Sequence, residues 1–281
     1  MKIALTGANG MLGTALAEAC ILREWPCRAI NRDSILLHSP SAAVELFLGA
    51  DVVIHAAANT DVEFCEQHRD VCYRDNTVLT EVIARAATLA GSRFVYISST
   101  GVYGNHKRAP YDEFDLAAPT TIHHQSKHLA EAVSLLQPGC LVVRTGWLFG
   151  GTTRNPKNFV ARRIYEAKNT RAAIRSNFEQ FGNPSFSRDV AGQILRLIED
   201  GHSGVFNCVN EESVSRAEYV RTILADAGLK TPVEDCPAAT FRRSAPVSLN
   251  EGAVNLKMNL MGISPMRSWR VALREYLGEI L

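Results

Sequence analysis

The sequence predicts an α/β protein: a Rossmann-type, doubly wound parallel sheet with a small C-terminal α/β lobe. Short apolar runs alternate with longer segments of helical periodicity over the 281 residues. The apolar runs are continuous, which is typical of parallel strands buried on both faces. A glycine-rich turn at residues 6–13 joins the first apolar run to the first helical segment, as in a βαβ unit.

Each element follows from its own periodicity. Aliphatic runs predict strands at 2–6, 27–30, 52–58, 94–98, 141–145 and 204–209. Apolar residues at helical spacing predict helices at 12–22, 77–89, 126–136, 189–199, 215–227 and a last one ending at Leu281. The pattern loosens after residue 150, where Asn, Arg and Pro become more frequent.

The composition excludes several classes of protein. Lys and Arg (30) nearly cancel Asp and Glu (29), and 46% of the residues are hydrophobic, which argues against disorder and against bulk binding of nucleic acid. The sequence shows neither a signal peptide nor an apolar run of about 18 residues, so we expect a cytoplasmic protein without a membrane segment.

The seven cysteines are scattered and form no CxxC pair. This pattern favours free thiols over a disulfide framework. Cys65 and Cys72 could share a helix face, but the ligand spacing of a zinc site is missing, and we expect no metal.

The glycine turn has the spacing GxxGxxG, with Gly7, Gly10 and Gly13 between a strand and a helix. Missing side chains allow a tight turn and close approach of a diphosphate to the helix N-terminus, which predicts dinucleotide binding. At the end of the second strand stand Asn31 and Arg32, where an acid would select NAD and an Arg accommodates a 2′-phosphate. NADP(H) is therefore favoured over NAD(H), although Arg32 as an ordinary solvated residue is the alternative.

The change of pattern after residue 150 also divides the chain. We expect a dinucleotide-binding domain over 1–150, to which 180–210 returns, and a second lobe made of 151–179 and 211–281.

Several motif-like segments follow one another along the chain. They include TGANGMLG (6–13), HAAANTDVEFCE (55–66), YISSTGVYG (96–104), VVRTGWLFG (142–150), QFGNPSFSRDVA (180–191) and SWRVALREYL (268–277). Together they resemble the dTDP-4-dehydrorhamnose reductase family of extended short-chain dehydrogenases/reductases. The order and spacing of these segments along almost the whole chain carry the resemblance.

The resemblance implies a catalytic Ser/Thr, a Tyr and a Lys four residues after the Tyr. Thr100 and Lys127 take the first and last places, but His123 stands where the family has Tyr. Three hypotheses remain open: His123 donates the proton; Tyr103, Tyr111 or a water donates it; or the reductase chemistry is lost.

The resemblance also implies two sets of binding residues. Those for the cofactor are Gly7, Asn9, Gly10, Met11, Leu12, Gly13, Asn31, Arg32, Ala56, Ala57, Ala58, Asn76, Ser98 and Lys127. Those for the substrate are Thr60, Val62, Thr100, His123 and Trp147, with 151–179 and 211–281 as the substrate-binding lobe. Trp147 would wall the sugar pocket, the alternative being a packing role.

Residues 154–175 hold seven basic residues and one acidic residue, which would bind an anionic substrate or form a solvated helix face.

From the resemblance and the glycine turn together, we expect an NAD(P)H-dependent oxidoreductase that reduces a keto group of a nucleotide sugar, without nucleic-acid partners. The alternatives are a noncatalytic NAD(P)-binding regulatory or scaffold protein and a cofactor-retaining epimerase or dehydratase. The resemblance further implies a homodimer.

Overall fold

A six-stranded parallel sheet lies at the centre of the structure, a computed structural model that describes residues 1–35 and 40–281, with Arg32 and Pro40 described by their backbone alone. The strands are β1 (Ile3–Thr6), β2 (Cys27–Ile30), β3 (Val52–His55), β4 (Arg93–Ser99), β5 (Leu141–Thr145), β6 (Leu148–Phe149), β7 (Ile174–Asn177), β8 (Phe181–Gly182), β9 (Ser185–Phe186), β10 (Gly204–Asn207), β11 (Val214–Ser215) and β12 (Val233–Cys236). The order in the large sheet is β10-β5-β4-β3-β1-β2, and every pair is parallel.

Helices connect these strands. They are α1 (Met11–Leu22), α2 (Pro40–Glu45), α3 (Val62–Gln67), α4 (Arg69–Tyr73), α5 (Leu79–Leu89), α6 (Ile122–Leu135), α7 (Phe159–Asn169), α8 (Ser187–Glu199), α9 (Arg216–Asp226), α10 (Leu256–Leu260) and α11 (Trp269–Ile280). A π-helical segment, Arg74–Val78, joins α4 to α5. Among the described residues, no helix is both long and apolar enough to cross a membrane.

Each strand of the large sheet sends alternate side chains to two opposite cores. Leu5 and Ile54 pack with Leu16 of α1 and Ile194 of α8 on one face. On the other face, the neighbouring strand residues pack against α2, α5 and α6. Burial on both faces explains the continuous apolar runs in the sequence and confirms the predicted doubly wound α/β class.

The strand order reverses at β1, which lies between β2 and β3. At such a point, the loops after the carboxyl ends of β1 and β3 run in opposite directions, and a crevice opens between them. Gly7 follows β1 and Ala56 follows β3, so the glycine turn lies at this crevice.

A second core gathers around α7, α9 and α11, with Phe149, Tyr219, Trp269 and Tyr276 among its buried residues. Strand β10 joins the large sheet, and α8 packs on α1. Residues of 256–266 instead contribute Met258, Ile263 and Met266 to the large core. We propose that the lobes divide as the sequence predicts, except that 256–266 belongs with the dinucleotide-binding lobe.

Element boundaries depart from the sequence prediction near the crevice. Helix α6 begins at Ile122 and not at residue 126, because the Thr121 side chain accepts a hydrogen bond from His124 N and caps the helix. His123 therefore lies in the first turn of a helix. Strand β3 ends at His55, so 56–58 form a loop and not the predicted end of a strand.

A buried ion pair fixes α6 against β5. The Arg144 guanidinium donates to both carboxylate oxygens of Glu131, at 2.9 and 2.7 Å, and both side chains are buried. Burial opposes ionisation of Glu131, but the hydrogen bonds and the charge of Arg144 outweigh it and hold the pKa of Glu131 below its usual value. Removing one partner would leave the other charge buried and unpaired.

We expect Glu131→Gln to lower the free energy of unfolding by about 3–5 kcal/mol, since Arg144 would lose its counter-charge. Urea denaturation measures this loss. Glu81→Gln serves as the control, because Glu81 pairs with Arg85 on an exposed helix face at 3.4 Å and is expected to cost less than about 1 kcal/mol. Equal losses in the two variants would contradict the role assigned to the buried pair.

Candidate functional site

A cavity of about 630 Å³ opens at the carboxyl ends of the strands, where the crevice lies. It is bordered by the glycine turn, the loop after β3, the ends of β4 and β5, and the first turns of α6. The predicted site residues that line it are Gly7, Asn9, Gly10, Met11, Leu12, Gly13, Ala56, Ala57, Ala58, Thr60, Ser98, His123, Lys127 and Trp147. The structure thus brings most of the predicted site together.

The glycine turn fits its neighbours without space for side chains. Gly7 has φ +74°, and a Cβ there would lie 2.6 Å from the backbone nitrogen of Ala57. A Cβ on Gly13 would lie 2.7 Å from the carbonyl carbon of Gly7. The N-cap of α1 is Gly10, which brings no side-chain cap, so the first N–H groups of this helix remain for an anion. The turn therefore fits a dinucleotide diphosphate.

Four predicted site residues with described side chains do not line this cavity: Asn31, Val62, Asn76 and Thr100. Asn31 is exposed and accepts a hydrogen bond from Asp33 N, while the side chain of Arg32 lies outside the described part of the chain. Val62 begins α3, away from the cavity wall. Asn76 is buried and holds the loop after β3 through its side-chain oxygen, which accepts from Asn59 N at 2.7 Å. Asn76 therefore positions the site and does not border it.

Thr100 is the last of these residues. Strand β4 ends at Ser99, and a 3₁₀ turn from Thr100 to Tyr103 carries the Thr100 side chain against Gly146. Ser98 and Ser99 line the cavity, while Thr100 is fully buried behind it. The structure therefore does not bring Thr100 to the cavity and offers Ser99, one residue earlier, in its place. The sequence interpretation placed the Ser/Thr role on Thr100 by family resemblance, in a run where Ser98, Ser99 and Thr100 are adjacent and all carry a hydroxyl.

His123 borders the cavity but is 5% exposed. Burial, helped by the charges of His124 and Lys127, lowers the pKa of His123 well below its usual value, so the imidazole is neutral near pH 7. Among the described residues, its Nδ1 atom is buried and finds no hydrogen-bond partner.

Neither tyrosine considered as an alternative donor lines this cavity. Tyr103 and Tyr111 are fully buried in a small separate core. The Tyr103 hydroxyl donates to Asn207 Oδ1 at 2.8 Å, and the Tyr111 hydroxyl accepts from Lys107 N at 2.9 Å. Both rings are fully buried away from the cavity, which argues against either tyrosine as the proton donor.

Lys127 lies one helical turn after His123, with its Nζ donating to the carbonyl oxygen of Ile97 at 2.5 Å. The same Nζ is 4.4 Å from the centroid of the Tyr96 ring. Burial lowers the pKa of Lys127 to about 7, against the attraction of Glu131. The amine is thus held in place at the floor of the cavity.

Trp147 links this cavity to a second one. Its indole Nε1 donates to Glu251 at 2.7 Å, and the Arg216 guanidinium carbon lies 3.4 Å from its ring centroid. Gly182 makes room for the ring, since a Cβ there would lie 2.7 Å from Trp147 Cδ2. Trp147 lines the first cavity and Arg216 the second, so the two cavities adjoin at this stacked pair.

The second cavity, of about 530 Å³, is strongly basic. Five arginines line it: Arg162, Arg163, Arg175, Arg216 and Arg243. No carboxylate of the described chain is among its lining residues, and the rings of Phe159 and Phe241 complete the wall. Phosphate oxygens suit the guanidinium groups and a planar base suits the rings, so the cavity fits a nucleotide.

The basic stretch 154–175 divides between several places. Arg162, Arg163 and Arg175 reach the second cavity, and Lys157 lines the first, where its Nζ donates to Thr60 Oγ1 at 2.5 Å. The other three bases line neither cavity. The sequence interpretation missed Arg216, which no local pattern marks.

Comparison with known proteins agrees with this geometry. The model of the RmlD substrate binding domain matches residues 1–281. A dTDP-4-dehydrorhamnose reductase of Mycobacterium tuberculosis is 32% identical, with 99% of this chain and 92% of the relative covered. This chain belongs to the dTDP-4-dehydrorhamnose reductase family.

Solved structures of dTDP-4-dehydrorhamnose reductases share the whole fold of this family member. The enzyme from Clostridium acetobutylicum gives a TM-score of 0.93 at 27% identity, with 99% of both chains covered. The enzyme from Bacillus anthracis, solved in complex with NADP, gives a TM-score of 0.92 at 28% identity, again with 99% of both chains covered. The family and the Rossmann-type fold predicted from the sequence are therefore confirmed.

In this member of the reductase family, we expect Gly13→Ala to lower the free energy of unfolding by about 1–3 kcal/mol, because the added methyl group meets the Gly7 backbone. Urea denaturation measures the effect. Gly192→Ala in α8 is the matched control: a Cβ there meets nothing within 4 Å, so this variant is expected to be neutral or more stable by up to about 1 kcal/mol. A Gly13→Ala variant as stable as the control would show that the turn has space to spare.

Proposed function

We propose that this protein is an NAD(P)H-dependent oxidoreductase that reduces a keto group of a nucleotide sugar. The observation that carries the proposal is the pair of adjoining cavities, one with a glycine cradle and the other with five arginines. A dinucleotide and a sugar nucleotide would meet at Trp147. Relatives named for such reductions support it, among them a probable dTDP-4,6-dihydroxy-2-methyloxan-3-one 4-ketoreductase of Streptomyces antibioticus, 30% identical over 100% of this chain.

The first cavity would hold the cofactor, which supplies a hydride to the carbonyl carbon when bound. The N–H groups at the start of α1 would bind its diphosphate. Lys127 would hold the nicotinamide ribose, as the family resemblance implies. Asn31 and Arg32 favour NADP(H) over NAD(H), and the NADP complex of the Bacillus anthracis relative supports this preference.

The carbonyl oxygen would be bound by Ser99 and His123. The Ser99 hydroxyl accepts a hydrogen bond from Gly101 N at 3.2 Å, which leaves its own proton to donate to the substrate. The neutral His123 ring carries one N–H, which would donate to the same oxygen and stabilise the charge that develops there. We therefore assign the Ser/Thr role to Ser99 and the Tyr position to His123.

The substrate would place its nucleotide in the second cavity and its sugar beside Trp147 and Thr60. The phosphates would bind the arginines, and Arg216 joins this site to the sugar end through its contact with Trp147. A homodimer and the lack of nucleic-acid partners remain predictions from the sequence.

Purified protein is expected to oxidise NADPH when given a dTDP-4-keto-6-deoxysugar. The loss of the absorbance of the reduced nicotinamide measures this reaction. His123→Phe is expected to lower kcat by on the order of 10²-fold, since the oxygen loses a hydrogen-bond donor, while His123→Tyr keeps or raises the rate. His202→Phe, a change of the same type in a residue that lines neither cavity, serves as the control and is expected to keep the wild-type rate.

Two results would contradict the proposal. NADPH binding without turnover in wild type and in His123→Tyr would identify a noncatalytic dinucleotide-binding protein. If His123→Phe kept the full wild-type rate, His123 would have no role in the reaction, but the assignment as a reductase would stand.

Arg243→Gln is expected to raise KM about tenfold or more with little change in kcat, because Arg243 would bind the nucleotide and not the reacting carbonyl. Steady-state kinetics at saturating NADPH separate the two constants. Arg171→Gln is the control, since Arg171 is exposed and lines neither cavity. A loss of kcat at unchanged KM, or equal effects in both variants, would argue against a nucleotide site in the second cavity.

A further inference from the structure

Two thiols and an imidazole meet behind the wall of the first cavity. Cys65 of α3, Cys72 of α4 and His123 of α6 each place one ligand atom within 4.8 Å of the other two. All three side chains are buried. The packing of α3 and α4 on α6 brings them together, although His123 is far from both cysteines in sequence.

Their present contacts are to neutral polar groups. The Cys65 thiol is 3.8 Å from the carbonyl oxygen of Asn59, and Cys72 Sγ lies 3.3 Å from Ser126 Oγ and accepts from Asn76 Nδ2 at 3.5 Å. The buried Nδ1 of His123 has no hydrogen-bond partner among the described residues. A buried polar atom without a partner costs about 1–3 kcal/mol, and one ring nitrogen of His123 lies within 4.8 Å of both thiols, so a ligand that binds the imidazole and the two sulfurs would suit this cluster.

We propose that Cys65, Cys72 and His123 bind a soft divalent metal ion of the zinc class. Thiolate sulfur and imidazole nitrogen are the ligands such ions prefer. Two thiolates cancel the charge of a divalent ion, so the loaded cluster would bury no net charge. Bond lengths of about 2.3 Å to sulfur and 2.0–2.1 Å to nitrogen require the three atoms to approach one another slightly, by about 1 Å at most.

The cluster meets the cavity through one of its members. His123 lines the cavity, whereas the two cysteines lie behind it. A metal ion would therefore reach the thiols from the cavity side. The cluster would supply three protein ligands, as in zinc sites that keep one coordination position open.

A disulfide between Cys65 and Cys72 is the competing use of these thiols. It would leave the imidazole of His123 unused, whereas a metal ion engages one ring nitrogen as well as both sulfurs. The observations therefore favour metal binding, which does not depend on the proposed reductase activity.

Titration of the reduced, metal-free full chain with Co²⁺ tests the site. One equivalent is expected to bind with the intense thiolate-to-metal absorption of a cysteine-ligated ion, and Zn²⁺ is expected to displace it. Cys65→Ser, Cys72→Ser and His123→Ala are each expected to weaken binding at least tenfold, with the absorption lost on removing both thiols. Cys140→Ser, which changes a buried cysteine elsewhere, is expected to bind like wild type.

A second measurement covers variants that fold poorly. In the wild-type chain, Zn²⁺ is expected to protect Cys65 and Cys72, and not Cys140, from alkylation during mild unfolding, as read by peptide mass spectrometry. Binding without thiolate absorption, unchanged binding after removal of both thiols, or isolation of the chain with a Cys65–Cys72 disulfide would overturn the proposal. None of these readouts uses turnover, so failure of the reductase assay leaves them interpretable.

Discussion

The ion pair between Arg144 and Glu131 is the constraint on which the site depends. It joins β5 to α6, the helix that carries both His123 and Lys127. The Arg144 guanidinium also lies 4.7 Å from the centroid of the Tyr103 ring, and Tyr103 in turn binds Asn207 of β10. One buried cation therefore fixes a helix, two strands and the turn after β4 in a single arrangement. This arrangement sets where the first turns of α6 border the cavity.

The sheet and the glycine turn could be predicted from sequence because their causes are local. A strand buried on both faces needs apolar residues at successive positions, and that run is visible in the order of residues. Gly7 and Gly13 must be glycine because other backbone atoms lie too close for a side chain. This requirement is still visible in the sequence, because the glycines of such a turn have a fixed spacing. The start of α6 was missed, because His123 and His124 interrupt the apolar pattern and the cap at Thr121 is a single residue.

The rest of the site depends on contacts between distant segments. The second cavity gathers arginines from α7, β7, α9 and a loop near residue 243, so no window of sequence contains it. The spacing of Cys65 and Cys72 allows a shared helix face, but they lie on two short helices that pack on α6. Helix packing determines which side chains face one another. The spacing of the cysteines in the sequence does not predict that packing.

Replacing Tyr by His at position 123 changes what the cavity can do with a proton. Burial keeps the ring neutral, and a neutral imidazole binds a carbonyl oxygen well but is a poor acid. A neutral ring has one nitrogen that donates and one that accepts. A metal ion held with Cys65 and Cys72 would take the accepting nitrogen and draw electron density from the ring, which makes the remaining N–H a stronger donor. Metal binding and reduction would then use opposite sides of one imidazole, so the cysteines behind the wall would restore part of the acidity that the missing Tyr supplies in the family.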